Sequence, residues 1–119
     1  MSIAVDLDGT LAEYHGGQAD EGIGPPVPLM LERVKCWLVE GKTVKIFTAR
    51  VGPRGVGGIE EKEFVDKQYV LIRAWLTQYL GTAGSVMEIT ASKDFSIEEI
   101  WDDRAYRVKK NTGLLEFPR

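Results

Sequence analysis

Short apolar runs alternate with two longer segments of helical periodicity along this chain of 119 residues. Strands are predicted at residues 1–7, within 42–50 and ending near Thr48, at 85–90 and at 97–101, with a short fifth strand at 105–108. Helices are predicted at 28–41 and 59–81, each closed by a glycine. This order is typical of a parallel sheet with crossover helices. We therefore expect a single α/β domain over residues 1–119, a three-layer α/β/α sandwich with a mainly parallel, Rossmann-like sheet.

The composition limits the classes of function that the chain can have. Its net charge of -3 argues against broad nucleic-acid binding and leaves nucleic acid only as a substrate. No apolar stretch reaches the length of a membrane span, and the N-terminus lacks a signal-peptide pattern, so we expect no membrane partner. The single cysteine, Cys36, excludes an internal disulfide and favours a cytoplasmic location. Its position in a helical pattern predicts a buried thiol in the core.

Polar side chains follow the predicted strands at the points where those strands end. The carboxyl ends of parallel strands meet at one edge of a sheet, where ligands bind, so we expect these side chains to converge. Each of them alone is typical of a turn or a helix cap, but their recurrence at four strand ends favours a functional site. The residues are Asp6 and Asp8, Thr48 and Arg50, Lys93 and Asp94, and Asp102 and Asp103.

The closely spaced carboxylates predict a metal ion and a phosphorylated substrate. Asp6 and Asp8 lie two residues apart, so on a strand they face the same side, separated by about 6.5 Å along the chain. Several carboxylates in one pocket repel each other and take up protons unless a cation lies among them. Mg²⁺ prefers oxygen ligands and commonly accompanies phosphate, which Thr48, Lys93 and backbone N–H groups would hold. A carboxylate facing such a phosphate can act as a nucleophile.

These residues resemble the motifs of the haloacid dehalogenase-like superfamily of phosphotransferases. The run "DLDGT" at 6–10 looks like the first motif, the strand ending in Thr48 like the second, Lys93 like the third and "WDD" at 101–103 like the fourth. The resemblance implies that Asp6 attacks phosphorus and forms an aspartyl-phosphate, while Asp8 is the general acid and base. It also implies that Thr48 holds a phosphoryl oxygen and that Lys93 stabilises the developing negative charge.

The same resemblance implies which residues hold the metal and the substrate. The implied ligands of Mg²⁺ are Asp6, the backbone carbonyl of Asp8, and Asp102 or Asp103. The implied substrate-binding residues are Gly9, Thr10, Thr48, Ala49, Arg50 and Lys93.

The reaction implied by the resemblance is hydrolysis of a phosphomonoester. Phosphatases and mutases of the superfamily carry an aspartate at the position of Asp8, whereas its dehalogenases and ion pumps do not. The gap between Lys93 and Asp102 is shorter than in many members. Arg50 is therefore an alternative source of the positive charge assigned to Lys93.

The spacing of the motifs leaves no room for an inserted cap domain, because predicted helices and strands fill most of the gaps between them. This resembles the capless type, whose open pocket admits a large substrate, such as a nucleic-acid end or a phosphoprotein, or is closed by a neighbouring subunit. Glycine-rich loops at 16–24 and 51–58 flank the expected site, as lids or as plain connections. Arg54 in the second loop meets either an anionic substrate or solvent. The oligomeric state stays open.

Two non-enzymatic alternatives use the same residue types. A receiver-like phosphorylation switch also places aspartates, a threonine and a lysine on a doubly wound sheet, but it carries its phosphorylated aspartate after the third strand, where this chain has no match. The other alternative is a protein that binds phosphate and Mg²⁺ without turnover. A turnover assay separates both of them from a phosphatase.

Overall fold

Four strands and three helices form the fold of the described part of the chain. The computed structural model describes residues 1–16 and 22–116. A single 3₁₀ turn at Ala49–Val51 follows the second strand. The strands are β1 (Ser2–Asp6), β2 (Thr43–Phe47), β3 (Glu88–Thr90) and β4 (Ile97–Trp101), and the helices are α1 (Pro28–Val39), α2 (Gly58–Leu80) and α3 (Thr82–Val86).

The four strands form one sheet in the order β3-β2-β1-β4, and all three neighbouring pairs are parallel. The prediction of a parallel α/β fold is therefore confirmed. In the register of the sheet Asp6 lies beside Phe47, and Val5 lies beside Trp101. The residues that follow β2 and β4 consequently emerge on either side of Asp6, at the same edge of the sheet.

The core of the protein is built around β1, whose residues 2–5 are all buried. Both faces of this strand are covered, which is typical of a central strand in a parallel sheet. In β2 the side chains of Val44 and Ile46 are buried, whereas those of Thr43, Lys45 and Phe47 are partly or fully exposed. Ile72 and Leu76 of α2 and Val34 of α1 belong to the same buried cluster.

The ends of the two long helices follow local sequence signals. Pro28 occupies the first turn of α1, where its missing N–H costs nothing. Gly41 follows that helix with a φ of 80°, and Gly81 closes α2 with a φ of 63°. Both glycines adopt the left-handed region that side chains disfavour, so the predicted helix stops are confirmed. None of the helices in the described ranges is long and apolar enough to cross a bilayer.

The third strand is shorter than predicted, because the chain after α2 continues as a helix. Ser85 and Val86, expected at the start of that strand, belong to α3. A Cβ on Gly84 would overlap the carbonyl of Leu76, so α3 packs directly against α2. Arg73 fixes this contact by donating to the carbonyl oxygens of Gly84 and Met87, at 2.8 and 2.7 Å.

Two further predictions about local structure are wrong. Residues 105–108 do not form a fifth strand; Val108 makes only an isolated bridge with Leu115. The chain leaves the sheet after β4 because the backbone N–H of Arg104 donates to Asp102 Oδ1 at 2.8 Å and turns it away. The thiol of Cys36 is exposed rather than buried, because it lies on the outer side of α1.

Candidate active site

Three carboxylates converge at the carboxyl edge of the sheet. One oxygen from each of Asp6, Asp102 and Asp103 lies within 4.8 Å of the others. Asp6 is the last residue of β1, and Asp102 and Asp103 directly follow β4, so the parallel pairing of these strands brings the three together. The ring of Trp101, the last residue of β4, packs 5.1 Å from that of Trp37 on α1. This contact fixes the strand end that carries Asp102.

The environment of Asp6 opposes its ionisation when no cation is present. Burial raises the pKa of Asp6 from 3.8 to about 7, and the negative charge of Asp102 and a hydrogen bond with Asp103 add to the rise. A divalent cation offsets this repulsion, and clustered carboxylate oxygens are the ligands that Mg²⁺ prefers. The donor set therefore fits the expected metal.

The raised pKa of Asp6 is expected to make the metal-free protein less stable as pH rises. Its pKa is about 7 in the folded chain and 3.8 in the reference state. Between these values the unfolded chain releases a proton that the folded chain keeps, so the stabilisation is complete below the lower value and lost above the higher one. In EDTA, we expect the Tm of the natural protein to fall over this interval relative to that of Asp6→Asn. Parallel curves for the two proteins would contradict the assignment.

The turn after β1 brings Gly9 and Thr10 into contact with the carboxylate cluster. The backbone N–H groups of Leu11 and Ala12 donate to the carbonyl of Leu7 at 3.0 and 2.8 Å, which closes the turn. The Thr10 hydroxyl lies 3.2 Å from Asp6 Oδ2. It also lies 3.4 Å from an oxygen of the third carboxylate, at Asp103.

Two features disfavour a side chain at residue 9, namely the backbone conformation of Gly9 and the nearness of Asp103. Its φ is +91°, and a Cβ there would lie 2.6 Å from Asp103 Oδ2. We expect Gly9→Ala to weaken Mg²⁺ binding by about tenfold or more, because a displaced metal ligand typically costs that much. Titration calorimetry would measure the change. Gly55→Ala is the matched control, because its φ of +85° imposes the same strain with no neighbour within 4 Å; equal affinities for the two variants would refute the prediction.

The carboxylate of Asp8 does not belong to the carboxylate cluster and forms a bidentate ion pair with Arg50. Arg50 Nε lies 2.7 Å from Asp8 Oδ2 and Arg50 Nη2 lies 2.9 Å from Asp8 Oδ1. The guanidinium also donates to the carbonyl of Gly22 at 2.8 Å and to Gln68 Oε1 at 3.0 Å. Arg50 and Gln68 are buried. Arg50 lines the cavity, and these protein groups contact its guanidinium; its role in binding substrate stays a prediction.

Thr48 and Ala49 line the same cavity as Asp6 and Asp102, and their roles in binding substrate stay predictions. The backbone N–H of Thr48 donates to the carbonyl of Thr90 at 2.9 Å, which ties the end of β2 to that of β3. The Thr48 hydroxyl accepts from the backbone N–H of Arg50 at 3.2 Å. Its own hydrogen is then available for a phosphate oxygen.

Lys93 lies in the exposed loop after β3 and is not among the described residues that line the cavity. The loop is held instead by Asp94, which accepts from Lys45 Nζ at 2.9 Å and from the Ser96 hydroxyl at 2.6 Å. The hydrogen bond from the Ser96 hydroxyl, followed by that from Lys45, lowers the pKa of Asp94 to about 2. The role assigned to Lys93 stays a prediction.

The cluster opens into a cavity of about 470 Å³, large enough for a substrate much bigger than a phosphate ion. Of the predicted residues, six line it: Asp6, Asp8, Thr48, Ala49, Arg50 and Asp102. The sequence analysis missed other parts of the wall, namely Tyr14, Phe47, Phe64, Ala91 and Arg104, and it left Arg54 undecided. Phe47 directly precedes Thr48 in the sequence, and Arg104 directly follows Asp103. This closeness to predicted site residues could have identified both of them.

The two glycine-rich loops are described to different extents. Of the loop at 16–24, residues 17–21 lie outside the described residues. In the loop at 51–58, Glu61 Oε1 accepts from the backbone N–H groups of Arg54 and Gly55 at 2.6 and 2.9 Å. The second loop is therefore tied to the first turns of α2.

Comparison of the chain with protein-family models, with curated proteins and with solved structures gives no match. Function is consequently inferred from the residues of the site itself.

Proposed function

We propose that this protein is an Mg²⁺-dependent phosphomonoesterase that works through an aspartyl-phosphate, with the chemistry of the haloacid dehalogenase-like superfamily. The observation that carries the proposal is the convergence of Asp6, Asp102 and Asp103 within 4.8 Å at the carboxyl edge of a parallel sheet. Thr48, at the neighbouring strand end, lines the same cavity as Asp6 and Asp102. A nucleophile, a metal site and an anion ligand thus share one pocket.

The residues that would hold Mg²⁺ are Asp6, Asp102 and Asp103, together with the backbone carbonyl of Asp8. Bound there, the ion would offset the negative charges of the carboxylates and of the phosphoryl group. The Thr10 hydroxyl, 3.2 Å from Asp6 Oδ2, orients the nucleophile. The Thr48 hydroxyl would donate to a phosphoryl oxygen, where positioning carries most of the catalysis.

Turnover takes two steps with one proton shuttled by Asp8. In the first, an oxygen of Asp6 bonds to phosphorus, the ester P–O bond breaks, and the leaving oxygen takes the proton of Asp8. In the second, water attacks phosphorus, its proton goes to Asp8, and inorganic phosphate leaves Asp6. The bidentate ion pair with Arg50 has to open before the carboxylate of Asp8 can exchange this proton in either step.

We also propose the three-layer, capless form of the fold for this chain. The all-parallel order β3-β2-β1-β4 supports it, together with the burial of residues 2–5 on both faces of β1. In such a form the cavity opens directly to solvent and needs no second domain to close it.

Removal of the metal is expected to stop the reaction completely and reversibly. With Mg²⁺ present we expect the protein to release phosphate from an aryl phosphate and from members of a panel of sugar phosphates, nucleotides and phosphorylated oligonucleotides. EDTA should abolish release, and excess Mg²⁺ should restore it, because the carboxylate cluster repels the phosphate when no cation is bound. Phosphate assays over this panel test the proposal, and no release from any member overturns it.

The Asp8–Arg50 ion pair favours a second candidate function, a protein that takes a phosphoryl group on Asp6, or binds phosphate and Mg²⁺, without turnover. A general acid held in a bidentate pair is not free to protonate a leaving group. Phosphate release measured with substrate in excess over the protein separates the candidates. A switch would stop at one phosphate per protein, whereas a phosphatase would continue to release it.

A further inference from the structure

Two arginines that line the cavity have no carboxylate partner among the described residues. Arg54 and Arg104 both contribute to the wall, together with the acidic residues Asp6 and Asp102. Arg50, by contrast, is neutralised by Asp8. Two positive charges are thus left at a site whose single-phosphate chemistry is already supplied by the carboxylates and Thr48.

Arg54 is held in place at one side of the cavity. Its guanidinium carbon lies 3.7 Å from the centroid of the Phe64 ring, a cation–π contact that covers one face of the group. Its backbone N–H donates to Glu61 Oε1 at 2.6 Å. The rest of the side chain is exposed, so the guanidinium keeps N–H groups for a ligand.

Arg104 is placed beside the carboxylate cluster by its own backbone. It lies three residues after the end of β4, and its N–H donates to Asp102 Oδ1 at 2.8 Å. The loops after β2 and β4 carry Arg54 and Arg104, and these strands flank β1 in the sheet. The two arginines therefore come from loops on either side of the strand that ends in Asp6.

The rest of the wall favours a substrate with a planar ring. Tyr14, Phe47 and Phe64 line the cavity, whose volume is about 470 Å³. Nucleic-acid bases stack on such rings and on arginine planes regardless of their sequence. The net charge of -3 argues against the broad basic surface that a long nucleic acid needs. This arrangement suits a single nucleotide unit better than a long duplex.

We propose that the substrate of this site is a phosphomonoester of a nucleoside that carries a second phosphate, with Arg54 and Arg104 binding that second group. The inference rests on the proposed phosphatase function. A phosphomonoester with a second phosphate nearby is present in a free nucleoside bisphosphate. It is also present at the phosphorylated end of a nucleic-acid strand, where the second phosphate is a diester.

The test compares substrates that differ only in the second phosphate. Values of kcat/KM are measured for thymidine bisphosphate, for each of the two thymidine monophosphates, for a thymidine dinucleotide with a terminal phosphate, and for an aryl phosphate. We expect the bisphosphate or the dinucleotide to exceed the better monophosphate by about tenfold or more, as for charged hydrogen bonds. The larger of the two values identifies the source of the second phosphate.

Variants of the two arginines test whether these residues cause the preference for a second phosphate. Arg54→Gln and Arg104→Gln should each reduce the preference for the second phosphate, the ratio of kcat/KM for the bisphosphate to that for the better monophosphate, to about threefold or less. Arg107→Gln is the matched control, since Arg107 is exposed and is not among the described residues that line the cavity. Calorimetry on Asp6→Asn, with bisphosphate and monophosphate as ligands, measures the same preference without turnover.

The outcomes distinguish this inference from the function on which it rests. Release from aryl phosphate with equal kcat/KM for the monophosphates, the bisphosphate and the dinucleotide would overturn the inference and leave the phosphatase standing. No release from any substrate would overturn the phosphatase. In that case calorimetry still decides whether the arginines bind a second phosphate.

Discussion

Asp6→Asn is expected to lower the rate of phosphate release by at least about 10⁴-fold, as the loss of a covalent nucleophile does in other enzymes. The amide cannot form the acyl-phosphate bond, and it also removes one of the three carboxylates that lie within 4.8 Å of each other. The measurement is the rate of phosphate release at saturating Mg²⁺, with thermal unfolding to show that the variant folds.

Asp94→Asn is the control for a carboxylate outside the cavity. Asp94 bonds to Lys45 and Ser96 and lies in the exposed loop after β3. We expect turnover within about threefold of the natural protein, as for residues outside an active site. If Asp6→Asn kept more than about a hundredth of the activity, Asp6 would not be the nucleophile.

Arg50→Ala is expected to lower the free energy of unfolding by about 2–4 kcal/mol, because it leaves Asp8 without its ion partner. The Arg50 side chain is 6% exposed and that of Asp8 is 21% exposed, so solvent replaces the lost contacts only in part. The same guanidinium joins the turn after β1 to Gly22 and to Gln68 of α2. Urea unfolding of the two proteins measures the difference.

An exposed ion pair supplies the comparison for Arg50. Lys62 and Asp66 lie four residues apart on α2, 2.8 Å from each other, with side chains 76% and 59% exposed. We expect Lys62→Ala to cost less than about 0.5 kcal/mol. Similar losses for Lys62→Ala and Arg50→Ala would show that the buried pair is not a structural link.

The parts of the fold that were predicted depend on local sequence. Three such features act through nearest neighbours, so the sequence alone locates them. They are the buried run before Asp6, the proline that opens α1 and the glycine that closes α2. Met87 illustrates the limit. Its neighbours suit a strand, yet the packing of α3 against α2, in which Arg73 donates to the carbonyl of Met87, delays β3 to Glu88.

The sequence predicts which carboxylates converge in the candidate site, but it does not predict which side chains pair with each other there. Strand order brings Asp6, Asp102 and Asp103 together, and a parallel sheet makes that foreseeable. The partner of Arg50 was not foreseeable, because Gln68 reaches it from the middle of α2 and no periodicity marks that contact. A polar residue buried on an otherwise apolar helix face is the only trace it leaves.

The edge position of β4 bears on strand pairing between copies of this chain. As the last strand in the order β3-β2-β1-β4, it has one side without a strand partner in the described sheet. Open strand edges template aggregation, and exposed charges are a common defence against it. Glu98 and Glu99 are both exposed on β4. Two copies that met along this edge would bring like charges together, so the strand that leads into Asp102 is protected from joining the sheet of another molecule.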